Sequence, residues 1–145
     1  MKLVTWNEYS EILKKVYEEI RLKQFDTIVA IGRGGSIIGA YLASKLDIPT
    51  FYPIFLRHVG KKGVKRIEDV SPYMRDQIKS LRGRTLIVDD YLRDGLAMKY
   101  VLKLISKEAS VNTLVIYNHR GSEFKPDIVG KYIGNSEISF PYDIF

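Results

Sequence analysis

Thr85-Leu86-Ile87-Val88-Asp89-Asp90-Tyr91-Leu92-Arg93-Asp94-Gly95-Leu96-Ala97-Met98 reads as a strand, an acidic pair, a tight loop and the start of a helix. Residues 85–88 are mostly apolar and β-branched, the pattern of a strand buried in a parallel sheet. Asp89 and Asp90 then fall at its carboxyl end, where open α/β sheets bind their ligands. Gly95 permits a tight turn, after which Met98, Val101, Leu102 and Ile105 mark a helix over 96–107. Carboxylates accept from sugar hydroxyls and attract hard cations, and the amides of a helix N-terminus hold phosphate. The stretch points to a sugar-phosphate site. A solvated strand end is the competing reading, and a second loop upstream decides between them.

That loop is Gly32-Arg33-Gly34-Gly35, which follows a second apolar run, Thr27-Ile28-Val29-Ala30-Ile31. The glycines let backbone N–H groups approach an anion closely, and Arg33 adds a permanent planar charge. Ser36 is placed as the N-cap of a helix running to Leu46. Ile37 stands where a dinucleotide fingerprint needs its third glycine, and no Walker lysine follows, so the generic nucleotide motifs fail.

Thr5-Trp6-Asn7-Glu8 has the form of a capping box, and Trp6, Tyr9, Leu13, Val16 and Ile20 line one helical face. An extended run over 50–56 containing Pro53 is placed at a sheet edge or as a broken strand. Residues 71–81 are expected to hold a short helix starting near Pro72, and 113–117 a strand. The segment from Gly121 onward shows glycines, prolines and aromatics but no long periodic helix. Alternating strands and helices over 145 residues imply one α/β domain, 1–145, with a parallel sheet covered on both faces.

Composition excludes several classes. With 46% hydrophobic and 28% charged residues the chain is ordinary for a globular protein, and no run fits a membrane helix or a signal peptide. The absence of cysteine rules out a disulfide framework and makes the cytoplasm the default location. The net charge of +6 admits nucleic acid, a membrane surface or an anionic small molecule. Much of it lies in Arg57-His58-Val59-Gly60-Lys61-Lys62-Gly63-Val64-Lys65-Arg66, which has no acid and reads as a mobile basic loop. No nucleic-acid motif accompanies the charge, so that partner is not expected.

The two loops together resemble the type I phosphoribosyltransferases, in particular the short archaeal and bacterial branch acting on 6-oxopurines. The similarity spans Val4-Thr5-Trp6, Ala30 to Gly35, Val88-Asp89-Asp90, Lys125-Pro126-Asp127 and Ile138-Ser139-Phe140-Pro141-Tyr142-Asp143. The resemblance implies a mostly parallel sheet flanked by helices, with a small hood built near the two termini. It implies 5-phosphoribosyl 1-pyrophosphate (PRPP) and a nucleobase as substrates, a nucleoside monophosphate as product, Mg²⁺ as cofactor, and a homodimer. Asp89 and Asp90 match the pair that holds the ribose hydroxyls and the metal. Arg33, Gly34 and Gly35 match the pyrophosphate loop, whose peptide tends to be cis. Arg93, Asp94, Gly95, Leu96 and Ala97 match the 5′-phosphate loop. Lys61 and Lys62 fall in a lid over pyrophosphate, His119 or Arg120 at the lysine that reads the base, and Ile138, Phe140 and Asp143 in the strap over the base.

The chain also departs from the family. Arg93 replaces an aspartate that assists proton transfer at the base, and Asp94 and Ala97 replace two phosphate-binding hydroxyl residues. Glu137 stands where a stacking tryptophan is common. Two functions follow: a nucleotide-salvage transferase, or a catalytically impaired relative that binds a nucleotide or PRPP and regulates.

Overall fold

The computed structural model describes residues 1–60 and 66–143, so Lys61 and Lys62 lie outside the described residues. The chain runs through β1 (Lys2–Leu3), α1 (Trp6–Ile20), β2 (Thr27–Ile31), α2 (Gly32–Leu46), β3 (Thr50–Ile54), β4 (Leu56–Val59) and β5 (Arg66–Asp69). It continues through α3 (Pro72–Lys79), β6 (Gly83–Leu92), α4 (Leu96–Leu104), β7 (Ala109–His119), β8 (Ile128–Ile133) and β9 (Ile138–Ser139), then a 3₁₀ turn over Pro141–Asp143.

β2, β3, β6, β7 and β8 form one parallel sheet in the order β3-β2-β6-β7-β8. Alternation along the strands divides the core into two layers. Ile28, Ala30, Leu86, Val88, Leu114 and Ile116 face α1 and α2. Val29, Ile31, Ile87 and Val115 face α3 and α4, against Ile78, Met98 and Val101. The expected α/β architecture is what the chain adopts, and Pro53 does lie on an edge strand. No helix among the described residues is long and apolar enough to cross a membrane.

From β2 the chain crosses to β3 on one side, and from β6 to β7 on the other. The carboxyl ends of β2 and β6 therefore flank the point where the winding reverses, the crevice that α/β sheets use for ligands. Over that crevice lies the hood. β1 pairs in parallel with β9, Lys2 opposite Ile138, which brings the first residues onto the strap 138–143.

Several expectations are corrected. α2 begins at Gly32 rather than after Ser36, and the Ser36 hydroxyl donates back to the Gly32 carbonyl at 2.6 Å instead of capping. A glycine first turn packs where side chains would clash, so the supposed loop is already helix. The Arg33–Gly34 peptide is trans, as a peptide unit inside a helical turn must be. β6 runs on to Leu92, so the acidic pair lies within the strand, held there by pairing with β7. Arg57 and Arg66 are not in a loop: β4 and β5 pair antiparallel, Arg57 opposite Glu68 and Val59 opposite Arg66, with an Arg57–Glu68 ion pair at 2.8 Å. β8 has no counterpart in the sequence reading. Thr5 caps α1 by accepting the Glu8 N–H at 3.1 Å. The Glu8 carboxylate instead accepts from the Tyr117 hydroxyl at 2.8 Å and pairs with Lys2 at 3.2 Å.

Candidate functional site

Two cavities open at the crevice. The larger, about 780 Å³, lies between Gly32, Arg33 and Gly34 on one side and Ile138, Phe140, Tyr142 and Asp143 of the strap on the other. The smaller, about 480 Å³, is lined by Arg93 to Met98 and by His58, Val59 and Gly60. His58, Asp89, Tyr91 and Ala97 line both. Volumes of this order hold small molecules, and a ligand bridging the two would pass directly over Asp89.

β6 places its acids by simple alternation. Val88 points into the layer of α1 and α2, so Asp89 points to the α4 side and Asp90 back toward α2. The Asp90 N–H donates to Asp89 Oδ1 at 2.8 Å, and the Tyr142 hydroxyl donates to Asp90 Oδ2 at 2.7 Å. The Tyr91 backbone N–H and the Asp89 carboxyl also bear on Asp90. Gly34 makes the arrangement possible, because a Cβ there would collide with Asp90 Oδ2. Gly35 plays the same part against the Val88 carbonyl, 2.7 Å from where its Cβ would stand.

Burial pushes both acids above the usual carboxylate range. The charge of Asp90 adds to the rise at Asp89, and the Tyr142 hydrogen bond partly offsets it at Asp90. Burial and the adjacent Asp90 charge likewise raise the Tyr142 phenol, which stays protonated. Two carboxylates side by side in a half-buried crevice hold a proton between them unless a cation or donor relieves the pair.

No cluster of three or more metal-ligating side chains exists among the described residues. Two adjacent carboxylates nevertheless suit Mg²⁺, which is commonly held by one or two carboxylates together with a substrate's phosphates. The donor set fits a metal arriving with its ligand, not one resident in the protein.

The α2 N-terminus faces the larger cavity. Ile31 at its N-cap position provides no side-chain hydrogen bond, and no acid occupies its first turn. Arg33 is exposed at the cavity wall. At α4 the picture differs. Gly95, at φ 80°, starts that helix and packs against Phe124, and the Asp94 carboxylate accepts the Leu96 N–H at 3.0 Å. The protein's own anion thus takes an amide that a phosphate would use. The Arg93 guanidinium lies over the Tyr91 ring, 5.7 Å from its centroid.

The sequence-predicted residues do not all converge. Asp89, Asp90, Arg33, Gly34, Ile138, Phe140 and Asp143 line the larger cavity, and Arg93, Asp94, Gly95, Leu96 and Ala97 the smaller. Gly35, the next residue along α2, packs on β6 instead. His119 and Arg120 line neither cavity. His119 binds Asn135 at 3.0 Å and accepts the Gly121 N–H, while Arg120 lies over Tyr132. Both face the β7–β8 end, because β7 runs on to His119 and carries them past the crevice. Glu137 is exposed. The sequence reading missed His58 and Tyr91 as cavity residues, while Tyr142 lies in the strap 138–143 that it did place over the site. His58 was hidden inside a run read only for its charge.

Residues 5–143 match the model of the phosphoribosyl transferase domain family. Similar solved structures include a purine phosphoribosyltransferase from Pyrococcus horikoshii, at 21% identity and TM-score 0.79 over 99% of this chain and 95% of that one. A hypothetical protein from Neisseria gonorrhoeae with bound ppGpp is 19% identical, TM-score 0.73, over 97% and 87%. The xanthine-guanine-hypoxanthine phosphoribosyltransferase of Helicobacter pylori is 16% identical, TM-score 0.73, over 98% and 92%. No curated protein sequence matches the chain.

Proposed function

We propose that this chain, which belongs to the phosphoribosyl transferase domain family, transfers the 5-phosphoribosyl group of PRPP to a purine base and releases pyrophosphate. The observation that supports this is the position of Asp89 in the wall common to both cavities, with Asp90 beside it. In this reading the ribose lies over the acidic pair, whose oxygens accept from its hydroxyls. The pyrophosphate lies at the α2 N-terminus beside Arg33, the 5′-phosphate at residues 93–97, and the base beneath the strap. Asp89 and Asp90 would hold Mg²⁺ with the pyrophosphate oxygens, and the ion supplies charge neutralisation for the leaving group. A base nitrogen bonds to C1′ as the bond from C1′ to the pyrophosphate oxygen breaks, the bonding pair leaving on pyrophosphate and the ring N–H proton of the base passing to pyrophosphate or solvent. The residues orient both partners and keep water out. As further parts of this reading, the protein works in the cytoplasm and as a homodimer.

A second reading has its own support. Arg93 stands where the resembled family has the aspartate that assists proton transfer, so this chain would hold a nucleotide without turning it over. Incubation with PRPP, Mg²⁺ and a panel of nucleobases separates the two. Pyrophosphate release with one or more bases supports the transferase. Binding of PRPP or a nucleoside monophosphate without release supports the regulator, and no binding of either rejects both.

A further inference from the structure

We propose that Tyr142 is a positioning residue that joins the strap to Asp90, so that the sugar half and the base half of the larger cavity fill cooperatively. The inference rests on the proposed reading of that cavity and adds a residue and a coupling to it. The link is one charge-assisted hydrogen bond, from the Tyr142 hydroxyl to Asp90 Oδ2 at 2.7 Å, a strong class of contact. It spans the crevice: Asp90 belongs to β6, and Tyr142 to the 3₁₀ turn that ends the strap.

Tyr142 is also fixed to the rest of the strap. Its ring stacks on Phe140 with centroids 5.2 Å apart and planes 4° apart, and both rings line the cavity. A group that restrains Asp90 through its other oxygen therefore restrains Tyr142, Phe140 and the strap. Coupling of this kind is reciprocal: whatever a sugar does for a base, the base does for the sugar.

A second phenol makes the choice of donor informative. Tyr9 of α1 is only 2% exposed, its ring lies 5.7 Å from that of Tyr142, and the Asp90 charge acts on it. Yet among the described residues it is the Tyr142 hydroxyl, not that of Tyr9, that donates to Asp90. Of two phenols beside the carboxylate, the one on the strap holds it and the one on the body of the fold does not. Removing the Tyr142 hydroxyl would offer Asp90 to Tyr9, leaving the acid in place but uncoupled from the strap.

Trp6, the sole tryptophan, lies with its ring 6.4 Å from that of Tyr142 and is 54% exposed, so its emission reports the strap. Ribose 5-phosphate with Mg²⁺ serves as the sugar probe and hypoxanthine as the base probe. With no leaving group on the sugar, no transfer occurs. In the wild type, saturating ribose 5-phosphate should tighten hypoxanthine binding at least about fivefold and shift Trp6 emission. In Tyr142→Phe each probe should still bind, at its own altered affinity, while the mutual tightening falls below about twofold. Coupling that survives in Tyr142→Phe, or is absent from a wild type that binds both probes, overturns the proposal. If the wild type binds neither probe, the functional reading fails, and acrylamide quenching of Trp6 in Tyr142→Phe, Asp90→Asn and the double variant then decides the link. Changes that do not add support the bond as the strap's anchor, and additive changes overturn it.

Discussion

Asp94 shows how one side chain can decide what a loop accepts. Its carboxylate sits on the Leu96 amide at the start of α4, so an incoming phosphate meets a like charge and an amide already in use. The triple change Arg93→Asp, Asp94→Thr, Ala97→Thr restores the residue types common in the family, and it should tighten nucleoside monophosphate binding by about tenfold, roughly one charged hydrogen bond. Calorimetry checks this, and weaker binding would show Arg93 to be the working phosphate ligand. Gly34→Ala tests the opposite wall. Its methyl group must displace Asp90 Oδ2, so PRPP affinity should fall by about tenfold or more with the fold retained by circular dichroism. Asp89 carries a stability consequence as well. Its carboxyl is raised by burial, so the folded state holds a proton that the unfolded chain releases. Stability is therefore full below the ordinary carboxylate range and is lost as pH climbs from there through the raised value. Asp89→Asn should raise the Tm near pH 7, flatten that pH dependence and abolish PRPP binding, all readable by scanning calorimetry with and without ligand.

At the level of elements, legibility followed local pattern. β2 and β6 announced themselves because apolar β-branched runs have few alternatives once bounded by turns. β8 did not, since Gly130 breaks its run. The structure gives the reason: a Cβ there would lie 2.5 Å from the Ile116 carbonyl and against Ile12 of α1, so the glycine marks close packing, not a turn. The β4–β5 hairpin was equally opaque, because cross-strand partners such as Arg57 and Glu68 are visible only once register is known. Asp127 is a further case, a motif residue whose work is structural. Its carboxylate accepts the Thr113 N–H at 2.8 Å, and its own N–H donates to Thr113 Oγ1 at 3.0 Å, fastening the entry of β8 to β7. Asp127→Ala should cost about 1–3 kcal/mol in urea unfolding and leave PRPP affinity unchanged.

Across the whole molecule, the cavity-lining residues that the sequence brought together are those close in the chain, around Arg33 and around Asp89. What escaped detection came from distant segments. Tyr142 and Asp90 are 52 positions apart in the chain, and no spacing rule connects them. The net charge of +6 acts at this scale too. If the ligand carries several phosphates, stopped-flow association should slow several-fold between low and roughly 0.5 M salt, as Debye screening shortens the reach of the field.

The pairing of Lys2 and Leu3 with Ile138 and Ser139 has a consequence in time. These partners are separated by nearly the whole chain, and contacts of such long loop closure form late. During synthesis β2, β6 and the crevice between them can assemble while the strap is still unmade. The newborn protein thus passes through a stage with its acids in place and nothing above them, when any anion or metal in the surroundings has free entry. Only the strap, made after the crevice it covers, turns an open groove into a selective one.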